Sequence, residues 1–154
     1  MYEPMPEMAK KAGSLLAWLR ERENEMAELL AEFVALPTEN PPGKNYGACV
    51  DWLEKRLSAF GLDCERMEAP RQRTDDSEAL VSLMAGYGRG ERTLYFHGHY
   101  DVVPAQSQEQ FQPLRRDHFL FGRGSCDMKG GIVAMLYAIL RSESVAASLA
   151  EESS

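Results

Sequence analysis

The stretch YFHGHYDVVP, residues 95–104, ends an apolar run with two histidines and an aspartate. Because side chains alternate along a strand, His97, His99 and Asp101 would all lie on one face. The preceding residues extend the apolar run, so the sequence predicts a strand over 92–103. Open α/β sheets place their binding sites at the carboxyl ends of strands. The pattern therefore predicts a polar site at the end of this strand.

The periodicity around this strand predicts helices on both sides of it. Apolar positions from Met26 to Val34 follow helical spacing, with an earlier apolar segment around Leu15, and the prolines of 37–43 end that helix. A second helix is predicted from Tyr46 to Phe60, with Gly61 as its cap. Further predicted elements are strands at 62–69 and 79–88, a polar loop at 71–78, a short apolar stretch at 118–122 and a helix over 132–140. This order indicates an α/β layered domain.

Composition narrows the class of protein. A length of 154 residues suits one domain, and the net charge of −7 argues against nucleic-acid binding. No apolar run reaches the roughly 20 residues that span a bilayer, so a membrane partner is not expected. Cys49, Cys64 and Cys126 are odd in number and form no CxxC pair, which favours free thiols. The first residues lack a secretory pattern, and we expect a cytoplasmic protein.

A second stretch, GRGSCDMKGG at 122–131, strengthens the prediction of a metal site. By itself the first stretch is also compatible with a polar strand end that binds nothing. Asp127 precedes a predicted helix, where its carboxylate could cap backbone N–H groups. The same carboxylate could instead bridge two metal ions, since its two oxygens carry enough lone pairs. Imidazole and carboxylate are both zinc ligands.

Together, FHGHYDVVP and GRGSCDMKGG resemble the family of dinuclear zinc exopeptidases and deacylases. That family includes acetylornithine deacetylase, succinyl-diaminopimelate desuccinylase, aminoacylase and glutamate carboxypeptidase. The segment PTENPPG at 37–43 and the helix after it are also similar, so the resemblance covers about residues 25–142. It implies a layered α/β/α catalytic domain with a mixed sheet. Residues 1–145 would form its N-terminal portion, and 146–154 a polar, disordered tail.

The resemblance assigns roles to three residues. His99 matches the first metal ligand, and Asp101 matches the catalytic-site carboxylate that orients this histidine. Asp127 matches the aspartate that bridges the two metals. The implied cofactor is zinc, two ions per complete site, with cobalt or manganese also compatible with these ligands.

Four neighbouring residues are expected to have no direct role. His97 matches no ligand and is interpreted as a structural histidine or as one that contacts a metal ligand. His118 is interpreted as a surface or packing residue. Cys126 is expected to be a small buried side chain. Lys129 is expected to meet solvent or a carboxylate.

The resemblance also implies residues that this sequence does not offer. Family members carry a Glu-Glu pair, a general base and a ligand, a few dozen residues after the bridging aspartate, with further ligands beyond a lid or dimerisation domain. Glu151 and Glu152 are interpreted as a solvated acidic terminus instead. We therefore expect a hydrolase of amide bonds in N-acyl amino acids or small peptides, with a possible homodimer in the full-length protein. The alternative is a truncated, inactive fragment or a weak metal-binding module.

Overall fold

The computed structural model describes the backbone of residues 6–69, 78–88 and 91–151, and side chains within 12–141 of those ranges. The helices are α1 (Pro6–Glu21), α2 (Glu23–Val34), α3 (Tyr46–Ala59) and α4 (Gly130–Glu151). The strands are β1 (Asp63–Ala69), β2 (Leu80–Gly86), β3 (Leu114–Arg116) and β4 (Phe119–Phe121). A 3-10 turn covers Gln108–Phe111. An irregular turn, Ser125–Lys129, leads into α4, and Asp127 and Met128 within it have non-helical backbone angles. The α/β class predicted from sequence is confirmed.

The core forms where α2, α3 and α4 pack together. Each helix contributes one apolar stripe, as its 3.6-residue period requires. Phe33 of α2 stacks on Trp52 of α3 with ring centroids 5.1 Å apart, and Tyr137 of α4 is tilted against Trp18 at 6.1 Å. The buried cluster consists of Leu29, Phe33, Cys49, Leu53, Leu62, Val133, Leu136 and Tyr137. The helices predicted from apolar spacing thus correspond to α2, α3 and α4.

Identifiable contacts explain why α3 begins and ends where it does. At its start, the Glu78 carboxylate accepts N–H bonds from Asn45 and Tyr46, both at 2.7 Å. At its end, Gly61 adopts a positive φ of 82° and Leu62 N donates to Leu57 O at 3.1 Å. A glycine favours this left-handed conformation, so the predicted cap at Gly61 is confirmed.

The described strands form two antiparallel pairs. In the first, β1 pairs with β2 in a register that sets Asp63 opposite Gly86 and Ala69 opposite Leu80. Leu83 and Ala85 of β2 pack against the helical core. In the second, β3 pairs with β4. Most of the polar loop predicted at 71–78 lies outside the described residues.

The predicted strand at 92–103 differs from the structure. Within residues 91–103 the structure contains one β-bridge, a parallel one between Val102 and Glu39. Leu94 and Tyr95 are 78% and 81% exposed. A strand requires a hydrogen-bonded neighbour, and among the described residues this segment finds one only at its carboxyl end. The apolar pattern alone could not supply that neighbour.

The carboxyl-terminal region, where a disordered tail is expected from residue 146, has helical backbone at its start, and the disorder stays a prediction. Helix α4 continues to Glu151. Alanine and glutamate in this stretch have high helix propensity, and extending a formed helix avoids the cost of nucleation. The side chain of Glu151 and all of Glu152 lie outside the described residues. In the described parts of the chain, no helix is both long and apolar enough to cross a membrane.

Candidate metal centre

The structure brings the two predicted metal ligands together. His99 Nε2 lies 3.1 Å from Asp127 Oδ1, although 28 positions separate them in sequence. Both residues line a cleft of about 290 Å³, together with Asp101. The Asp127 carboxylate is 87% exposed and the His99 side chain 45%. The predicted approach of His99 and Asp127 is therefore found, while their binding of metal stays a prediction.

Asp101 lies behind His99, as predicted. The ring Nδ1 of His99 is 3.0 Å from the backbone oxygen of Asp101 and 3.2 Å from its Oδ1. Either contact favours a proton on Nδ1, which leaves Nε2 with a lone pair directed toward Asp127 and the cleft. This tautomer is the one that a metal ligand requires. Asp101 is thus suited to orient the ring, and its catalytic role remains a prediction.

The pKa of His99 reflects these neighbours. Partial burial acts to lower it, but the hydrogen bonds and negative charges of Asp101 and Asp127 outweigh burial. The net result is a pKa raised above the usual histidine value. The pair of carboxylates therefore favours a cation at this position, whether a proton or a metal ion.

The segment before α3 holds the loop that carries His99 and Asp101. Asn40 Nδ2 donates to Asp101 Oδ2 at 2.9 Å, and Asn40 N donates to Val102 O at 2.8 Å. Glu39 accepts the Ala105 N–H at 2.7 Å. Sequence reasoning assigned no role to Asn40 or Glu39. The signal available was the occurrence of polar residues among the prolines of 37–43.

A glycine allows the loop of Asp127 to approach the loop of His99 closely. Gly124 has a φ of +87°, and a Cβ atom there would lie 2.5 Å from Val102 Cγ1. Any larger residue would be strained and would push the two loops apart. Gly124 of GRG therefore has the role that backbone freedom predicts at a close approach.

Three neighbouring residues can also be placed. His97 and His118 are both exposed, so of the two interpretations of His118 the structure favours the surface position. Cys126 is exposed on the rim of the cleft, so the expectation of a small buried side chain is wrong.

Lys129 corrects a second expectation. It was expected to meet solvent or a carboxylate, yet its side chain is fully buried. Its Nζ donates to Phe33 O at 2.9 Å and to Leu36 O at 2.7 Å. Burial lowers the pKa of Lys129 to about 8. Carbonyl oxygens at the end of a helix attract a cation, which explains why a lysine occupies this interior position.

Among the described residues no group of three or more histidine, cysteine, aspartate or glutamate side chains is arranged to hold a metal ion. The described part of the chain thus presents two donor groups, His99 and Asp127, with Asp101 behind the first.

Comparison with known proteins identifies the family of these motifs. The model of Peptidase family M20/M25/M40 matches residues 95–150, which include His99, Asp101 and Asp127. The residues that carry both motifs thus match this peptidase family. The resemblance inferred from the two motifs is confirmed.

Proteins with similar sequences include two enzymes named succinyl-diaminopimelate desuccinylase. Succinyl-diaminopimelate desuccinylase of Buchnera aphidicola subsp. Acyrthosiphon pisum is 38% identical over 121 residues, covering 75% of this chain and 29% of that protein. The enzyme of the same name from Paracidovorax citrulli is 36% identical, covering 72% of this chain and 29% of that protein. The chain therefore corresponds to less than a third of the length of these relatives.

Human carnosine dipeptidase 1 has a similar fold. Its crystal structure superimposes with a TM-score of 0.69 at 21% sequence identity. The match covers 83% of this chain and 30% of the dipeptidase. The α/β arrangement described above is thus that of the corresponding part of the dipeptidase.

Proposed function

We propose that this chain contributes half of the metal centre of a zinc-dependent amidohydrolase that cleaves N-acyl amino acids or small peptides. One observation carries the proposal. His99 Nε2 and Asp127 Oδ1, from two separate motifs of a peptidase family, meet at 3.1 Å on the wall of one cleft. Relatives named as a desuccinylase and a dipeptidase both act on amide bonds, which supports the substrate class.

The donor groups fit a zinc or similar divalent ion. Neutral imidazole and carboxylate are ordinary zinc ligands, and the second nitrogen of His99 is already engaged by Asp101. The exposed Asp127 carboxylate has two oxygens, which suits a ligand shared between two ions. Cobalt or manganese would be accepted by the same donors. A bound divalent metal would polarise the scissile carbonyl of the substrate and would make a water molecule more acidic.

Each residue then has a limited task. His99 provides a nitrogen donor, and Asp101 keeps its ring in the required tautomer and orientation. Asp127 provides oxygen donors 3.1 Å from that nitrogen in the same cleft. A general base is required in addition, because hydrolysis must move a proton from water to the leaving amine. We propose that the base and the remaining ligands come from residues other than those described.

Metal titration tests this proposal. We expect zinc to bind the chain weakly in calorimetry, because two protein donors are fewer than the three of ordinary catalytic zinc sites. His99→Ala should abolish binding, whereas His118→Ala, which removes an exposed histidine, should leave it unchanged. Tight binding that survives His99→Ala would contradict the proposal and would point to another ligand such as Cys126.

The alternative function is a weak metal-binding module without activity. The two donors identified here, His99 and Asp127, are fewer than the three of ordinary catalytic zinc sites, which supports this alternative for the described residues. We expect no turnover of N-acetyl or N-succinyl amino acids, or of dipeptides, with added zinc. A positioned general base typically raises the rate of such a reaction about 10²–10⁴-fold, and none is identified among the described residues. Turnover that disappears in a Glu151→Ala/Glu152→Ala double variant would show instead that the acidic terminus supplies the base.

A further inference from the structure

Among the described side chains, two polar ones are fully buried, Thr38 and Lys129. Both are bonded to residues at or just after the carboxyl end of α2, and neither lines the cleft. We propose that together they form a brace that positions Asp127 against His99. This inference rests on the proposed function, because it assigns a positioning role to residues that support the two metal donors.

Lys129 fixes one side of the brace. Its backbone N–H donates to Gly124 O at 3.0 Å, which closes the loop that carries Asp127. Its ammonium group donates to Phe33 O and Leu36 O and lies 5.0 Å from the centroid of the Phe33 ring. The Asp127 loop is therefore attached through one side chain to the last turn of α2.

Thr38 fixes the other side. Its hydroxyl donates to Tyr100 O at 2.5 Å, and its carbonyl accepts the Val102 N–H at 2.8 Å. These two bonds lie immediately before and after Asp101. The loop that carries His99 and Asp101 is therefore attached to the residues that follow α2.

The two sides meet at a single atom. Leu36 O accepts a hydrogen bond from Lys129 Nζ at 2.7 Å and another from Thr38 N at 3.0 Å. Through this carbonyl oxygen, the position of the Asp127 loop is tied to the position of the His99 loop. The Lys129 ammonium and the Thr38 hydroxyl are themselves fully buried, and hydrogen bonds in such surroundings are stronger than in water, which stiffens the connection.

Asp127 needs such support because its own side chain makes little packing contact. The Asp127 carboxylate is 87% exposed, so packing around its own side chain does little to fix it. Metal ligands must be held within about 0.5 Å of their productive geometry. A buried ammonium group is costly, and here its two hydrogen bonds also serve to hold the Asp127 loop. Lys129 and Thr38 are thus positioning residues, since neither contacts the cleft that would hold metal and substrate.

Zinc affinity of the whole chain tests the brace. Lys129→Met removes the ammonium group, and Thr38→Val removes the hydroxyl bond with little change in shape. We expect each to weaken zinc binding about tenfold or more, the usual effect of losing a group that supports a ligand. Because both act through one connection, the double variant should lose less than the product of the two single losses.

Two control variants separate positioning from general destabilisation. Lys55→Met removes an exposed lysine of α3, and Leu53→Ala damages the core away from the cleft. Both should bind zinc within about twofold of the wild type, provided that the variants are folded. Equal weakening by Leu53→Ala and Lys129→Met would overturn the brace in favour of a purely structural role.

Hydrogen exchange of the metal-free chain provides a readout that does not depend on metal. Amides of residues 124–129 should exchange faster in Lys129→Met and at the wild-type rate in Lys55→Met. If Lys129→Met does not fold, Thr38→Val carries the test, with faster exchange expected at residues 100–102.

The outcomes distinguish the two proposals. Zinc binding that is lost in His99→Ala but unchanged in both brace variants would overturn the brace and leave the metal centre standing. If the wild-type chain binds no zinc, the proposed function fails. Hydrogen exchange alone then tests the brace. Faster exchange in the Lys129→Met and Thr38→Val variants would support it, and unchanged rates would overturn it.

Discussion

Two regions of this molecule carry similar apolar sequences but have opposite environments. In the helical region, formed by α2, α3 and α4, Phe33 and Val34 are fully buried. In the segment 91–97, Leu94 and Tyr95 remain 78% and 81% exposed. The helices satisfy their own backbone hydrogen bonds and need only a packing partner, whereas an extended segment needs a neighbouring strand. The candidate metal centre lies where these regions meet.

The largest expected effect is on the free energy of unfolding, when a leucine in each region is replaced by alanine. Leu53→Ala, at a side chain that is 8% exposed, should lower the free energy of unfolding by about 2–5 kcal/mol. Leu94→Ala, at a side chain that is 78% exposed, should change it by no more than about 0.5 kcal/mol. Urea denaturation of the two variants measures both values. Similar losses at the two sites would mean that segment 91–97 is buried in solution.

The exposed segment should also promote association of the chain. An apolar stretch with unpaired backbone groups is a template for pairing with another chain. We expect Leu94→Lys/Tyr95→Lys to weaken self-association about tenfold or more in sedimentation experiments. Replacing exposed Leu114 and Phe119 of β3 and β4 by lysine is the matched control, because those strands already pair with each other. An equal effect of both double variants would remove the distinction between the regions.

A smaller loss of stability is expected when the contact between Glu78, just before β2, and helix α3 is weakened. The Glu78 carboxylate caps α3 by accepting N–H bonds from Asn45, Tyr46 and Gly47. Glu78→Gln removes the charge at the positive end of the helix and should cost about 1 kcal/mol of stability. Glu28→Gln, on the exposed face of α2, should be neutral in the same thermal unfolding experiment. A neutral Glu78→Gln would show that α3 does not need this cap.

The smallest expected effect concerns pH. The pKa of His99 is raised, so protonated His99 stabilises the fold below its ordinary pKa, and this contribution is lost as pH rises through the raised value. Zinc needs neutral imidazole, so zinc affinity should rise with pH and level off above the raised pKa. In Asp127→Asn the pKa of His99, followed by NMR without metal, should fall. An unchanged pKa in that variant would mean that the two side chains are apart in solution.

Much of the candidate site could be predicted from the sequence. The motifs at 95–104 and 122–131 indicated His99, Asp101 and Asp127, and the structure brings all three to one cleft. Helical periodicity predicted the apolar stripes of α2, α3 and α4, since a 3.6-residue pattern is local information. Gly61 was predictable for the same reason, because a helix cap depends on neighbouring residues.

The remainder depended on contacts that no local pattern encodes. In sequence Lys129 looks like a solvated lysine. Only the position of Leu36, 93 residues earlier and just past the end of α2, makes it a buried donor. The state of residues 92–101 depends on whether a neighbouring strand is available, which alternation of side chains cannot show. The sequence by itself thus determined which groups could bind a metal and which helices form. Tertiary structure decided how those groups are held, because hydrogen bonds between distant segments set the positions of both loops.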